Sequence, residues 1–178
     1  MKFTKMHGAG NDYVYVDARS ESRDWPELSR RMSDRHFGVG GDGLILIKNS
    51  DIADLKMSMF NADGSEAEMC GNGARCFARY IAKMADVNGE MTFLTGCGVI
   101  RARLDDANVT VTLTNPTGLR LNETITLSVG ERQLHSLNTG VPHTVLFVDD
   151  ADAAMVDSLG CEIRHHDHFA PAGTNVNF

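Results

Sequence analysis

The stretch Phe60 to Met84, FNADGSEAEMCGNGARCFARYIAKM, constrains the fold of this chain more than any other. An apolar run stops there at a cluster of turn formers, Asn61-Ala62-Asp63-Gly64-Ser65, and Gly71 and Gly73 then flank Asn72 directly before Ala74. Phe77, Ile81 and Met84 recur at helical spacing with Arg75, Arg79 and Lys83 between them, which predicts a helix over 74–84. Cys70 falls at, or just outside, the N-terminus of that helix, where unpaired N–H groups and the positive end of the helix dipole favour a thiolate. The same N–H groups can hold a substrate carboxylate, and the glycines would let it approach the backbone closely. A cysteine base beside a carboxylate clamp is equipment for moving a proton at an amino-acid α-carbon. The competing reading is a cysteine that packs as a small hydrophobe. Against it, the neighbouring glycines strip away the bulk that would bury the sulfur.

The bulk properties narrow the function classes. A chain of 178 residues forms one domain with a sizeable core or two small ones. Its formal charge of −7 argues against a nucleic-acid partner. The longest uncharged apolar stretch, Leu44 to Ile47, is far too short to cross a bilayer, so no membrane partner is expected. The start, MKFTKMHGAGND, has two lysines but no apolar segment after them, so no signal peptide is visible. Cys70, Cys76, Cys97 and Cys161 show no C-x-x-C spacing, as expected of free thiols in a reducing, cytoplasmic setting.

In chain order, an alternating Lys2 to Met6 and the run Tyr13-Val14-Tyr15-Val16-Asp17 predict two strands around a glycine loop with Asn11 at its exit. Asn11 there also suits a turn that needs positive φ. Trp25-Pro26-Glu27 opens a helix whose apolar side is Leu28, Met32 and Phe37. Gly38-Val39-Gly40-Gly41-Asp42-Gly43 matches G-x-G-x-x-G, but a helix precedes it and the strand Leu44 to Ile47 follows. A dinucleotide site requires the reverse order, so the segment reads as a helix C-cap leading into a strand.

Asp54 to Phe60 alternates as a half-buried strand, and Met91 to Leu94, Val99 to Leu104 and Val109 to Leu113 are further strands, with a turn at Asp105-Asp106-Ala107-Asn108. Thr114-Asn115-Pro116-Thr117-Gly118 is the best domain boundary. Beyond it, strands are predicted at Thr124 to Val129, Arg132 to Leu137 and Thr144 to Val148, then a helix over Asp150 to Leu159 closed by Gly160, and the beginning of a strand at Val176 and Phe178. His165-His166-Asp167-His168 offers no consistent face and reads as a solvated loop, so no metal is expected. Gly8, Tyr15, Val16 and Asp17 line up with Gly140, Phe147, Val148 and Asp149 at an offset of 132, a weak internal repeat.

These residues resemble the diaminopimelate epimerase family, cofactor-independent enzymes of lysine and peptidoglycan precursor synthesis. The resemblance rests on Lys5-Met6-His7-Gly8-x-Gly10-Asn11-Asp12, Gly38-Val39-Gly40-x-Asp42, Phe60 to Glu66, Cys70-Gly71-Asn72-Gly73-Ala74-Arg75-Cys76, Gly140-Val141-Pro142-His143 and Gly173-Thr174-Asn175. In the related proline racemases the cysteine motif resembles C-G-H-G, so Asn72 favours the epimerase. The resemblance implies an α/β (α+β) fold of two pseudo-symmetric halves, each a central helix wrapped by mostly antiparallel strands, with the second half incomplete here. Residues 1–116 would be the half with Cys70, and 117–178 a partial second half.

By the same resemblance Cys70 is one of two catalytic thiols, Asn11, Asn61 and Asn175 hydrogen-bond the substrate, and Gly71 and Asn72 lie at its reacting carboxylate. Gly43 stands where some members have a substrate-binding Gln and Val141 where some have an Asn, and the second cysteine is expected beyond Phe178. The implied partner is a small-molecule amino acid, with no cofactor. Counting half-sites, the isolated chain is expected to be inactive in epimerisation, and either a homodimer or poorly ordered after Gly118. An epimerase of the same fold acting on another amino acid, and a non-catalytic short form serving as an interaction module, are the alternatives.

Overall fold

The computed structural model describes residues 1–85, 88–106 and 108–178. The chain divides into two compact units, Met1–Leu113 and Thr114–Phe178. The first contains strands β1 (Thr4–Gly8), β2 (Asn11–Asp17), β3 (Gly43–Lys48), β4 (Leu55–Asn61), β5 (Glu66–Ala67), β6 (Gly89–Thr95), β7 (Gly98–Asp105) and β8 (Asn108–Thr112), with helices α1 (Trp25–Ser33) and α2 (Gly71–Ala85). They form one sheet in the order β1-β2-β3-β4-β6-β7-β8, with β5 added to β4. Pairing is antiparallel except at β2–β3 and β4–β6. Of the expected turn Asp105 to Asn108, Ala107 lies outside the described residues.

Helices cover both faces of β2 and β3. Val14, Val16, Leu44 and Leu46 pack with Trp25 and Met32 on the α1 side. Tyr13, Tyr15, Ile45 and Ile47 pack with Ala74, Phe77, Ala78 and Ile81 on the α2 side. Leu44-Ile45-Leu46-Ile47 therefore has no exposed surface, the composition of a strand buried on both sides. β4 departs from the alternation expected of a half-buried strand. Ser58 and Phe60 are buried as well as Met57 and Met59, because α1 covers the face that the sequence pattern left to solvent.

The helix boundaries also differ from expectation, for local reasons. Asp24 caps α1 by accepting the Glu27 N–H at 3.1 Å. α1 then stops at Ser33, where the Asp34 carboxylate takes the N–H groups of His36 and Phe37 at 2.7 Å each. That turn throws Phe37 out to 96% exposure, so it is no part of the apolar side. The glycine segment folds back over the helix end, with Gly40 N–H on Met32 O at 2.9 Å and Gly41 N–H on Ser33 O at 3.1 Å. α2 begins at Gly71, three residues before the expected start at Ala74, and Met84 near its end is half-exposed.

The second unit contains β9 (Thr117–Leu127), β10 (Gly130–Asn138), β11 (Pro142–Val145), α3 (Val156–Arg164), a 3-10 turn at Asp167–Phe169, and β12 (Asn175–Asn177). Its sheet runs β12-β11-β10-β9, with β11 and β12 parallel. Ile125, Leu127, Leu134 and Leu146 pack against Leu159 and Ile163 of α3. The segment after Gly118 thus has a core of its own in place of the local disorder offered as one expectation.

Three expectations fail in this unit. The helix does not span Asp150 to Leu159, because the Asp150 carboxylate caps a turn by accepting the N–H groups of Asp152 at 2.9 Å and Ala153 at 3.3 Å. Gly160 lies within α3 instead of closing it. β11 ends at Val145, leaving Phe147 78% exposed, whereas its repeat partner Tyr15 has no exposed surface. The offset of 132 therefore does not superpose equivalent environments. What recurs is a pattern of pairing: hairpin, helix, parallel strand, in β1-β2-α1-β3 and again in β10-β11-α3-β12.

Candidate active site

Cys70 is the residue before the first turn of α2, and its sulfur caps that turn. The Gly73 N–H points at Cys70 Sγ at 3.4 Å, while the Cys70 carbonyl takes the Ala74 N–H at 2.8 Å. A side chain at Gly73 would stand 2.8 Å from Ile45 Cδ1 and 3.5 Å from Cys70 Cβ, so glycine lets the helix start lie close on the sheet. β1 comes equally close: a Cβ at Gly8 would stand 2.9 Å from the Asn72 carbonyl oxygen.

The register of the sheet carries the asparagines to this end. Tyr13 pairs with Gly43 and Gly43 with Asn61, so Asn11 on β2 and Asn61 on β4 project from the same end of the two strands that flank β3, on the face that carries Tyr13, Met57 and Met59 towards α2. Asn72 Nδ2 donates to Asn11 Oδ1 at 2.7 Å, and Arg75 donates to Asn72 Oδ1. Asn11 Nδ2 donates to Asp42 Oδ2 at 3.2 Å. Asn61 is engaged locally, its Nδ2 donating to Ser65 Oγ at 3.0 Å. The structure thus brings Cys70, Gly71, Asn72 and Asn11 together. Asn175 belongs to the second unit, where it pairs with His143, donates to Pro142 O at 3.2 Å and receives Arg164 at 3.4 Å.

The sequence assigns no site role to several residues of this region. The Tyr13 ring lies beside Gly73 and Cys70; burial pushes its hydroxyl pKa up, and the Cys70 thiol adds to the shift. Tyr15, fully buried, donates its hydroxyl to Gly73 O at 3.1 Å, and burial raises its pKa too. Arg35 forks onto Asp12 at 2.8 and 3.1 Å and reaches Asp42 at 2.9 Å. The Arg35 guanidinium holds the Asp12 carboxyl well below the usual carboxylate range, with Lys5 at 3.1 Å assisting. A period-2 pattern would have flagged Tyr13 as core, and nothing local marks Arg35 as the partner of Asp12 and Asp42.

The other thiols have different settings. Cys76 is buried, and burial pushes its thiol up. Cys97 is raised by burial and by Glu68, to which its sulfur lies at 3.5 Å. Cys161 is exposed on α3 beside His165. The histidines of 165–168 are spent on protein partners: His165 on Cys161 O, His166 on Thr126 O and His168 on Glu123. Among the described residues no helix is long and apolar enough to cross a membrane.

Comparison with known proteins decides the relationship. The family model described as diaminopimelate epimerase matches residues 3–118. Over its whole length the chain is 42% identical to the diaminopimelate epimerase of Caldanaerobacter subterraneus, covering 71% of that relative. The chain belongs to the diaminopimelate epimerase family. The diaminopimelate epimerases of Aquifex aeolicus, 42% identical with 68% covered, and Heliobacterium modesticaldum, 38% identical with 71% covered, agree.

Solved structures extend the likeness to the fold. A PhzF-family phenazine biosynthesis protein from Bacillus anthracis matches with TM-score 0.63 at 17% identity, over 85% of this chain and 58% of that one. A hydroxyproline epimerase from Agrobacterium vitis matches with TM-score 0.59 at 16% identity, over 91% of this chain and 55% of that one. The α+β architecture of curled sheets and helices is therefore shared with these two proteins. Gly43 has no room for a side chain here, since a Cβ would stand 2.1 Å from Phe60 O.

Proposed function

We propose that this chain carries a half-site of a cofactor-independent amino-acid epimerase that interconverts LL- and meso-diaminopimelate, with Cys70 as the proton-transfer group. The observation that supports it is the Cys70 sulfur seated on the first turn of α2, next to the joined amides of Asn72 and Asn11. In this reading the Cys70 thiolate removes the α-proton, and the electron pair left on the α-carbon delocalises into the substrate carboxylate. The N–H groups at Gly71 and Asn72 hold that carboxylate as its charge grows. Asn11 and Asn61 bind other groups of the amino acid, and Asn175 of the second unit is a substrate-binding residue in the same reading.

Inversion needs a proton donor on the opposite face of the α-carbon, hence a second thiol in a comparable setting. Cys76, Cys97 and Cys161 do not have that setting. Residues 1–116 accordingly form the half with Cys70, 117–178 contribute part of the second half, and the 178-residue chain alone exchanges the α-proton without inverting the centre.

The test is incubation of the chain with LL-diaminopimelate in deuterium oxide, followed by mass spectrometry for α-deuterium and by chiral analysis. Deuterium uptake that disappears in Cys70→Ala, without inversion, is the expected result. Equal uptake by Cys70→Ala would remove Cys70 from its role, and clear inversion by the purified 178-residue monomer would end the half-site argument.

A further inference from the structure

The Asn72–Asn11 pair is closed at each end by a group of fixed hydrogen-bonding sense. Asp42 is a carboxylate that only accepts, and it takes Asn11 Nδ2 at 3.2 Å. Arg75 is a guanidinium that only donates, and it gives to Asn72 Oδ1. Between them Asn72 Nδ2 donates to Asn11 Oδ1 at 2.7 Å. Turning either amide over would set donor against donor or acceptor against acceptor, so the polarity runs one way, from Arg75 to Asp42. Both amide oxygens already accept a bond within the relay, and each nitrogen keeps one hydrogen.

Asp42 is itself held by three further hydrogen bonds. Its Oδ2 also takes the Asp12 N–H at 3.1 Å, its Oδ1 takes Arg35 at 2.9 Å, and its own N–H donates to Asp12 O at 2.6 Å. The glycines before it make this approach feasible: a Cβ at Gly41 would stand 3.0 Å from Asp12 O. The G-x-G-x-x-G letters, which bind no dinucleotide in this order of elements, have a use in delivering Asp42 to Asn11.

We propose that Asp42 and Arg75 are positioning residues that set the polarity of the Asn11–Asn72 pair, so that its two unused N–H bonds form a donor pair for a carboxylate of the ligand. The assignment rests on the reading of Asn11 and Asn72 as substrate-binding residues. The relay itself is measurable without any ligand.

The test uses the ¹⁵N-labelled 178-residue chain, with the side-chain amides of Asn11 and Asn72 assigned through Asn11→Asp and Asn72→Asp. Asp42→Asn offers an N–H as well as a carbonyl and so removes the fixed sense at one end. It should move the Asn72 side-chain amide, which Asp42 does not touch, and Arg75→Met should likewise move that of Asn11. Asp51→Asn, in an exposed loop, should move neither. An Asn72 amide unmoved in Asp42→Asn, with the β2 to β4 backbone resonances preserved, would overturn the proposal. If Asp42→Asn does not fold, an unmoved Asn11 amide in Arg75→Met overturns it from the other end.

Titration with LL-diaminopimelate should then shift both Nδ2 resonances, with half-saturation raised about tenfold in Asp42→Asn, the scale of one hydrogen bond to a charged group. Equal half-saturation in the two proteins would refute the positioning role. Coupled amides that do not respond to diaminopimelate at all would sink the substrate reading of Asn11 and Asn72 while upholding the relay.

Discussion

The segments β1-β2-α1-β3 and β10-β11-α3-β12 share one pattern of pairing but differ in how many of their faces are covered. In the first unit α1 and α2 lie on opposite faces, and β3 is apolar at four successive positions. In the second, α3 covers one face, and β9 alternates, with Ile125 and Leu127 buried and Thr124 and Thr126 exposed. The comparison teaches that the second helix, and not the hairpin motif, distinguishes the unit that carries the candidate site. The same helix that buries the other face of β2 and β3 presents its capped N-terminus, with Cys70, at the end of the strands that carry Asn11 and Asn61.

Alkali should separate the two units most. Burial raises the pKa of Tyr13 and Tyr15 above the unfolded value, so their contribution is complete below about pH 10 and is lost as the pH rises beyond it. Each then costs about 1.4 kcal/mol per pH unit. The second unit has no tyrosine. Trp25 fluorescence should report loss of the first unit while the methyl resonances of Ile125 and Ile163 persist. Simultaneous loss of both signals would break the comparison.

Phe77→Ala removes the fully buried ring of α2, 4.8 Å from that of Phe93, and should cost about 3–5 kcal/mol in urea denaturation followed at Trp25. A loss under about 1 kcal/mol would mean that α2 does not hold its face of the sheet. Two glycines sharpen the contrast further. Gly43→Ala should cost about 1–3 kcal/mol, because its Cβ would collide with Phe60 O. Gly160→Ala should instead stabilise α3 by about 0.5–1 kcal/mol, since its Cβ would meet the Phe178 ring at an ordinary 3.5 Å. If both substitutions destabilise alike, the packing around one glycine has been misjudged.

The smallest effect concerns helix starts. α2 is capped by Cys70 Sγ, whereas Met155, at the N-cap position of α3, makes no side-chain cap and is half-exposed. Met155→Ser should therefore add about 0.5–1 kcal/mol to the second unit, read from its thermal midpoint. A drop in that midpoint would show that the Met155 side chain contributes more than a cap would.

The sequence by itself determined the elements whose causes lie within a few residues. Glycines and an asparagine before an amphipathic stretch set Cys70 at the start of α2, Pro26 set the start of α1, and apolar runs marked most strands. It failed where a short polar contact overruled periodicity, as at Asp34, which ejects Phe37, and at Asp150, which delays α3. Only the tertiary structure decided which groups meet at the site. Asn11 finds Asp42 across 31 positions and Asn72 across 61, contacts created by the register of β2 on β3 and by the seating of α2 on the sheet. Such pairings leave no trace in local composition, because a hydrogen bond depends on where two segments are brought to lie and not on the residues beside either partner.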